Sequence, residues 1–365
     1  MKLVSRLKEN WKFLMGWGLL LGSLSLVVMS FFALPIPRAL WWLTGSLAAV
    51  GFAHYTFSQN LVVYVIKRIL EAVFVIFVIA SMTFLLLRVI PGGPFDTEKA
   101  LPPEVIANIA AKYNLDAPLH RQYSDYMLGL LRGDLGESYK FLGRNVAQIV
   151  GEALPVSLQL GVYSLILAFM IGIPAGLFAA SRHNSFADNA TMILAISGVA
   201  LPSFLIAPIL IIVFAFWLNW FEVALWLGPE YYILPVVVLG TSPAAIIARL
   251  TRSSVLEVIR SDYIRTAKAK GLSHQVVLYK HVLKNSLIPV LTFSGPLVAG
   301  VLSGSFVVEQ IFAIPGLGRH MVQSVTNRDY PLILGTTLVF SVMLVLANLV
   351  VDILYAYFDP RIKLS

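Results

Sequence analysis

The sequence predicts an all-α polytopic membrane protein, and three observations lead there. Of its 365 residues, 58% are hydrophobic and only 13% charged, whereas a soluble domain carries about a quarter charged residues. The apolar residues gather in long tracts with almost no charge inside them, and about 20 such residues cross a bilayer core as a helix. The cations segregate as well. Segments 1–12, 58–68, 182–188, 249–284 and 357–365 hold 17 of the 27 Lys and Arg, against five acids. Loops rich in Lys and Arg stay on the cytoplasmic side, so both termini are expected inside. The net charge of +8 then follows from topology, and no nucleic-acid partner is implied.

Eight spans are expected, at 13–37, 39–66, 72–87, 153–181, 189–221, 231–248, 285–308 and 330–351. The first two form an N-terminal hairpin, residues 1–60. Lys2, Arg6, Lys8 and Lys12 precede its first tract as they would in a signal peptide. That tract exceeds the usual 7–15 residues, however, and Pro-Ile-Pro-Arg makes a poor cleavage site, so a retained span is the reading. The first core span occupies 61–90 and stops at Pro91, Gly92, Gly93 and Pro94, which end a helix. Residues 91–152 are too many for a plain turn and are read as an extracytoplasmic helical loop. "PPEVIANIAAKYNL" has prolines at a first turn. "PLHRQYSDYMLGLLRG" closes at Gly133 and carries a stripe of Tyr123, Tyr126, Leu130 and Leu131. Residues 153–365 form the rest of the core, with a cytoplasmic loop at 249–288. Pro155, Pro174, Pro202, Pro208, Pro235, Pro289 and Pro296 lie in or at the ends of these spans, as membrane helices tolerate. Gly172 with Gly176, and Gly300 with Gly304, have the spacing that lets helices approach closely.

Chemistry is sparse. There is no cysteine, which excludes disulfides and thiol nucleophiles. No Gly-Lys dipeptide occurs, so no phosphate-cradling loop of the Gly-Lys-Ser/Thr kind forms, and His-Glu-x-x-His is absent. His274 and His281 share a face of one expected helix, but two ligands make an incomplete metal site. Glu71 and Asp352 sit near span ends, where pairing with Lys67, Arg68 or Arg361 is the plain account. With span centres this free of charge, an ion-coupled secondary transporter lacks its midplane carboxylate, and a membrane-embedded enzyme lacks any clustered nucleophile, base or metal set.

The informative segment is "SDYIRTAKAKGLSHQVVLYKHVLKNSLIP", residues 261–289, with five Lys or Arg and one Asp. Ser261 or Asp262 suits a helix start, Gly271 a stop, and Ser273 a second start. Tyr263, Ile264 and Ala267 fall on one side of the first helix, and Arg265, Lys268 and Ala269 on the other. A basic amphipathic helix can lie on anionic lipid. Here the apolar face is small and both ends are already gripped by spans, so insertion into a protein groove fits better.

"DYIRTAKAKGLS", followed by a His-containing helix and a proline, resembles the cytoplasmic loop of ATP-binding-cassette importer permeases of the peptide group, which carry oligopeptides, dipeptides or nickel. Aligned on Gly271, the family's Glu-Ala-Ala-x-x-x-Gly signature places Arg265 at Glu, Thr266 at the first Ala and Ala267 at the second. His281 and Leu283 take the first places of the later Ile-x-Leu-Pro element, with the proline displaced to 289. "RVIPGGPF", "LRGDLGES", "IFAIPGLGRHMVQSVTNRDYP" and "VDILYAYFDPRI" are similar to the B-type oligopeptide subunit, so the match runs from about 62 to 363. Residues 1–60 fall outside it.

The resemblance implies a type I importer core of six transmembrane helices plus the two-helix extension. It implies a multi-pass, non-catalytic subunit in a bacterial inner membrane, without a cofactor of its own. ATP and magnesium would sit in two partner ATP-binding subunits. A second homologous permease, an extracytoplasmic peptide-binding protein and membrane lipid complete the expected partners. The ATPase-coupling element would be Asp262, Tyr263, Ile264, Arg265, Thr266, Ala267, Lys268, Ala269, Gly271 and Leu272, with contact falling chiefly on Tyr263, Ile264, Arg265, Ala267 and Gly271. No substrate-binding residue is implied.

Overall fold

The computed structural model describes residues 61–90, 116–273 and 276–358. The expected hairpin at 1–60, the helix at 102–115 and His274 lie outside the described residues. Two compact units divide the chain, 1–71 with 363–365, and 72–362. The described part of the first is the beginning of α1 (Leu61–Val89), where Arg68 pairs with Glu71 at 3.3 Å. This is the near-interface pairing expected for Glu71.

In the second unit, α1 is followed by α2 (Leu119–Leu131), α3 (Val146–Ser181), α4 (Phe186–Ala200) and α5 (Ser203–Leu210), which continues as a π-helical turn (Ile211–Trp217). Then come α6 (Pro229–Val258), α7 (Asp262–Ala269), a second π-helical turn (Val277–Val282), α8 (Leu283–Ile311), α9 (Leu317–Thr326) and α10 (Tyr330–Phe358). Among the described residues four helices are long and apolar enough to cross a membrane: Ile66–Val89 within α1, α3, α6, and Tyr330–Val350 within α10. The bent pair α4–α5 makes a fifth if taken as one span. The expectation of eight spans therefore holds in part.

Two expected spans differ in form. The tract 189–221 is broken, because α4 and the helix after it meet at 105°. Pro202 lacks an N–H, and its ring drives Leu201 into an extended conformation at φ −85°, ψ 117°, so the helix cannot run through. The expected span 153–181 starts earlier, at Val146. Asn145 caps it by accepting the N–H of Ala147 at 2.8 Å. Glu152 stays outside the apolar tract and pairs with Arg144 at 2.6 Å. With 36 residues, α3 is about 54 Å long, well beyond a ~30 Å hydrocarbon core.

The core is built on the crossing of α3 and α6, and glycine makes it possible. A Cβ on Gly172 would lie 2.7 Å from the Ala244 carbonyl oxygen, and one on Gly176 would lie 2.6 Å from Thr251 Cβ. The first small-xxx-small pair is thus a true contact. Gly300 of the second pair has nothing within 4 Å of its Cβ position. Around the crossing, Ala168, Ile247, Val290 and Leu297 bury one cluster, and Leu160, Leu234, Val238, Val308 and Phe312 another.

At one end of the bundle α2 lies against α1. Tyr123 and Tyr126 both pack on Phe84, with ring centroids 5.4 and 5.6 Å away. The Tyr123 hydroxyl shares a 2.8 Å hydrogen bond with Ser81. The stripe read from the sequence is therefore half used, since Leu131 remains exposed. At the same end a buried carboxylate organises α9. Glu309 accepts the Ser157 hydroxyl at 2.8 Å and the Arg319 N–H at 3.1 Å, while Ser157 accepts the Leu317 N–H at 2.8 Å. Two of the free N–H groups that open α9 are satisfied in this way, and the negative charge suits that end of the helix dipole. Gly316 is required by the approach, because its Cβ would stand 2.6 Å from the Glu309 carboxyl carbon.

Two outcomes are expected. Gly176→Val forces a side chain into the α3–α6 crossing and lowers the detergent melting temperature sharply, by about 1–3 kcal/mol or more of stability. Gly300→Ala, into open space, leaves it nearly unchanged. Burial pushes the His320 imidazole on α9 below its ordinary value; Arg319 and Arg144 add to this, and Glu152 opposes it. A depressed folded-state value means stability that is whole above the unfolded value of about 6.5 and is lost as pH falls through the folded one. Melting temperature should therefore drop on acidification below about pH 6.5, with a smaller drop for His320→Gln in the same pH series.

Candidate functional site

The helix α7 follows the end of α6 and precedes α8, whereas α9 follows the other end of α8, and the geometry of α7 follows from its sequence. Ser261 occupies the N-cap position with extended backbone, though its hydroxyl donates back to the Val258 carbonyl at 2.6 Å. Asp262 opens the helix, favourably placed for the dipole. Lys270 ends it, and Gly271 takes φ +79°, the left-handed turn that glycine adopts without strain. The start at 262 and stop at Gly271 match the sequence reading.

What each face does differs from that reading. Ile264 is fully buried and Ala267 nearly so. They pack into the protein's own core with Leu177 and Ala180 of α3, Val255 of α6, and Val277, Leu278 and Val282 of the second π-helical turn. Within the expected contact set, then, Ile264 and Ala267 are buried inside this chain, and Tyr263, Arg265 and Gly271 are exposed. Ile264 and Ala267 are three apart and share a face, and that face is already occupied. Asp262, Tyr263, Arg265, Thr266, Lys268, Ala269, Gly271 and Leu272 are all exposed. Arg265 reaches Asp262 at 3.4 Å across the open surface, a weak pair at such exposure. Thr266 donates to the Asp262 carbonyl at 3.0 Å. Tyr263 accepts a 2.7 Å hydrogen bond from Asn285 on α8. The helix is therefore held by its apolar face and by one polar strut, and it presents a cationic outer face.

Close to this anchor lies a feature that the sequence reading missed. Asp188, near the start of α4, is fully buried, and Arg252 of α6 grips it in a bidentate pair, Nε to Oδ1 at 2.6 Å and Nη2 to Oδ2 at 2.8 Å. His183 and the Asn184 N–H complete the carboxylate's shell at 3.4 and 2.9 Å. Asp188 entered the sequence reading only as a loop charge. Asp188 and Arg252 each stand beside the end of an apolar tract, but Arg249 and Glu257 lie close to Arg252 on the same helix, and only the fold shows which charges meet.

Further along α4 and α6, the α4–α5 bend frames a cavity of about 400 Å³. Its walls include Leu201, Pro202, Ser242, Pro243, Phe293 and Gly300, and none of its lining residues is ionisable. Among the described residues no three His, Asp or Glu come together to hold a metal ion.

With this geometry in place, the comparisons with known proteins decide the class. Residues 172–364 match the family described as binding-protein-dependent transport system inner membrane component, and residues 61–161 match its N-terminal region. The chain belongs to this family. The dipeptide transport system permease DppB of Bacillus subtilis is 46% identical over 301 residues, covering 82% of this chain and 98% of that protein. The oligopeptide permease OppB of Haemophilus influenzae is 43% identical and that of Escherichia coli 41%, each over 302 residues, 82% of this chain and 99% of theirs. A solved chain of the MetNI methionine ABC transporter, in an inward-facing conformation, superimposes with TM-score 0.50 at 17% identity, over 58% of this chain and 97% of that one. That likeness bears on the fold alone. The protein is thus a multi-pass permease, a non-catalytic membrane subunit of an ABC importer in the peptide-transport group.

The anchor yields a prediction. Ile264→Ala removes a fully buried side chain from the cluster beneath α7, at a cost of about 2–5 kcal/mol. Hydrogen exchange should rise over 262–272 while the α3–α6 crossing stays protected.

Proposed function

We propose that this permease carries oligopeptides inward, as half of a translocation path completed by a second homologous permease, and that α7 docks on a separate ATP-binding subunit. The observation that carries the coupling role is the division of α7 into a buried face and an exposed one. Ile264 and Ala267 tie the helix to α3 and α6, so a push on its outer face reaches the spans as a displacement of packed elements, which move between discrete arrangements and do not bend smoothly. Tyr263, Arg265, Thr266, Lys268, Ala269, Gly271 and Leu272, with Asp262 at the rim, form the docking face. The end of the bundle bearing α7 is then cytoplasmic, in keeping with its eight Lys and Arg between 249 and 284. Both termini face the same way, in a bacterial inner membrane.

Two ATP-binding subunits hold ATP and magnesium. Their closure draws the docked helices, the spans open outward, and an extracytoplasmic binding protein delivers peptide; hydrolysis resets the path. The loop at 91–152 seats that binding protein, the core runs over 61–90 and 153–365 with its coupling loop at 249–288, and residues 1–60 add a transmembrane hairpin. An uncharged cavity wall suits cargo of varied side-chain charge. Transport of dipeptides is the second reading, supported by the 46% identity to a dipeptide permease; nickel or another small solute would fall within the same group.

Coexpression with the cognate ATP-binding subunits tests the docking role. Arg265→Glu with Lys268→Glu reverses the charge of the exposed face without touching Ile264 or Ala267. The variant should fold with an unchanged melting temperature and lose about tenfold or more in ATPase copurification, as charge reversal at a docking rim does. Full copurification by the folded variant would refute the role.

A further inference from the structure

Resting on the coupling role proposed for α7, we infer that Arg252, partly exposed, and the buried Asp188 carboxylate form a positioning pair that makes the bent span α4–α5 follow the α6–α7 lever. The side chains packed around Ile264 come from α3, α6, α7, the second π-helical turn and the start of α8. Among the described residues, none of the hydrophobic side chains in that cluster comes from α4 or α5. A displacement of α7 therefore reaches α3 and α6 by direct packing, and α4 follows through its contacts with α6 and, to a lesser extent, with α3. Two links between α4 and α6 stand out. Near the far end of α4, Gly198 fits against Thr241 and Ala245, whose Cγ2 and Cβ would lie 3.1 and 3.3 Å from a Cβ there. Near the start of α4, Asp188 meets Arg252 in the bidentate pair.

The position of the pair on α6 is what gives it leverage. Along this helix, Ser242 and Pro243 line the cavity, Arg252 holds Asp188, and the helix ends at Val258, four residues before α7 begins. On the other partner, Asp188 sits near the start of α4, while Gly198, Val199, Leu201 and Pro202 at its end form the cavity wall. One rigid helix of 15 residues, about 22 Å long, thus connects the ion pair to the wall. The bond is directional as well as strong. Two parallel N–H donors fix the guanidinium plane against the carboxylate; the Asn184 N–H donates to the same carboxylate, and the Ser185 hydroxyl accepts the backbone N–H of Asp188. Contacts between glycine and small side chains permit sliding; a forked ion pair fixes register.

A plain packing role and a positioning role make different predictions once both charges are removed. Removing Arg252 alone leaves the buried Asp188 carboxylate uncompensated, which destabilises, whereas replacing both charges together removes that penalty. The test therefore uses four forms of the complete importer with its ATP-binding subunits and binding protein in proteoliposomes: wild type, Asp188→Asn, Arg252→Lys, and the double variant Asp188→Asn with Arg252→Gln. Uptake of a radiolabelled dipeptide and pentapeptide, basal ATPase rate, and ATPase copurification are read for each. Expected for the double variant is normal assembly, a basal ATPase rate within about twofold of wild type, and uptake per ATP reduced about tenfold, the scale of coupling carried through a packed network. Arg252→Lys keeps the charge but loses the fork, and should show the same split in milder form.

Recovery of wild-type uptake per ATP in the double variant would overturn the inference, because the pair would then serve only to neutralise buried charge. Parallel loss of assembly, ATPase and uptake in both the double variant and Arg252→Lys would overturn it too, since the pair would then be a matter of folding. Failure of the docking role itself is separately visible: a wild-type complex whose ATPase copurifies equally with the Arg265→Glu, Lys268→Glu chain removes the lever, whatever Asp188 does.

Discussion

The structure depends on a short helix that has no free apolar face. Buried Ile264 and Ala267 hold α7 against α3, α6 and the turn that starts α8. A loop helix of eight residues has little stability of its own, so its shape and position come from this packing. The consequence is mechanical. A segment that is stapled to two spans and bounded by a glycine turn transmits displacement, whereas a tethered loop would absorb it. The exposed face is left polar and cationic, free to be read by another protein.

Around this anchor, the fold spends its few buried charges at junctions between helices. Asp188 and Arg252 tie α4 to α6, Glu309 with Ser157 ties α8 and α3 to the start of α9, and Asp329 gathers the Ser138 hydroxyl and the Tyr139 N–H at the start of α10. Each carboxylate has several donors around it, as burial demands. Apolar helices slide on one another and on lipid with little directional preference, since hydrophobic contact in a bilayer gives no strong drive between helices. Charged hydrogen bonds supply the register that greasy surfaces lack.

Much of this was legible in the sequence. Tract lengths and cation counts gave the polytopic class, and Gly271 placed the end of α7. Gly172 and Gly176 marked the α3–α6 crossing. Glu71 found its neighbour Arg68 three residues away because both lie on one helix turn. Three things were hidden. The break at Pro202 was not read because proline is tolerated within membrane helices, and only the extended Leu201 shows that this one ends a helix. The burial of Ile264 and Ala267 within the chain was not read because periodicity identifies a shared face without saying what covers it. Asp188 and Arg252 are 64 residues apart, and no local rule pairs them. Long-range partnership is the property of a fold, and here it is what organises the helix ends.

Because the chain has no cysteine, single thiols can be introduced without background, and the labelling rate of Arg265→Cys, Lys268→Cys and Ile264→Cys with a membrane-impermeant maleimide in inside-out vesicles gives the most direct measurement. If α7 is a docked lever, the first two label readily in the permease alone, are protected when the ATP-binding subunits are present, and change again on nucleotide binding, while position 264 stays unreactive throughout. Equal labelling of 265 and 268 with and without those subunits would contradict it.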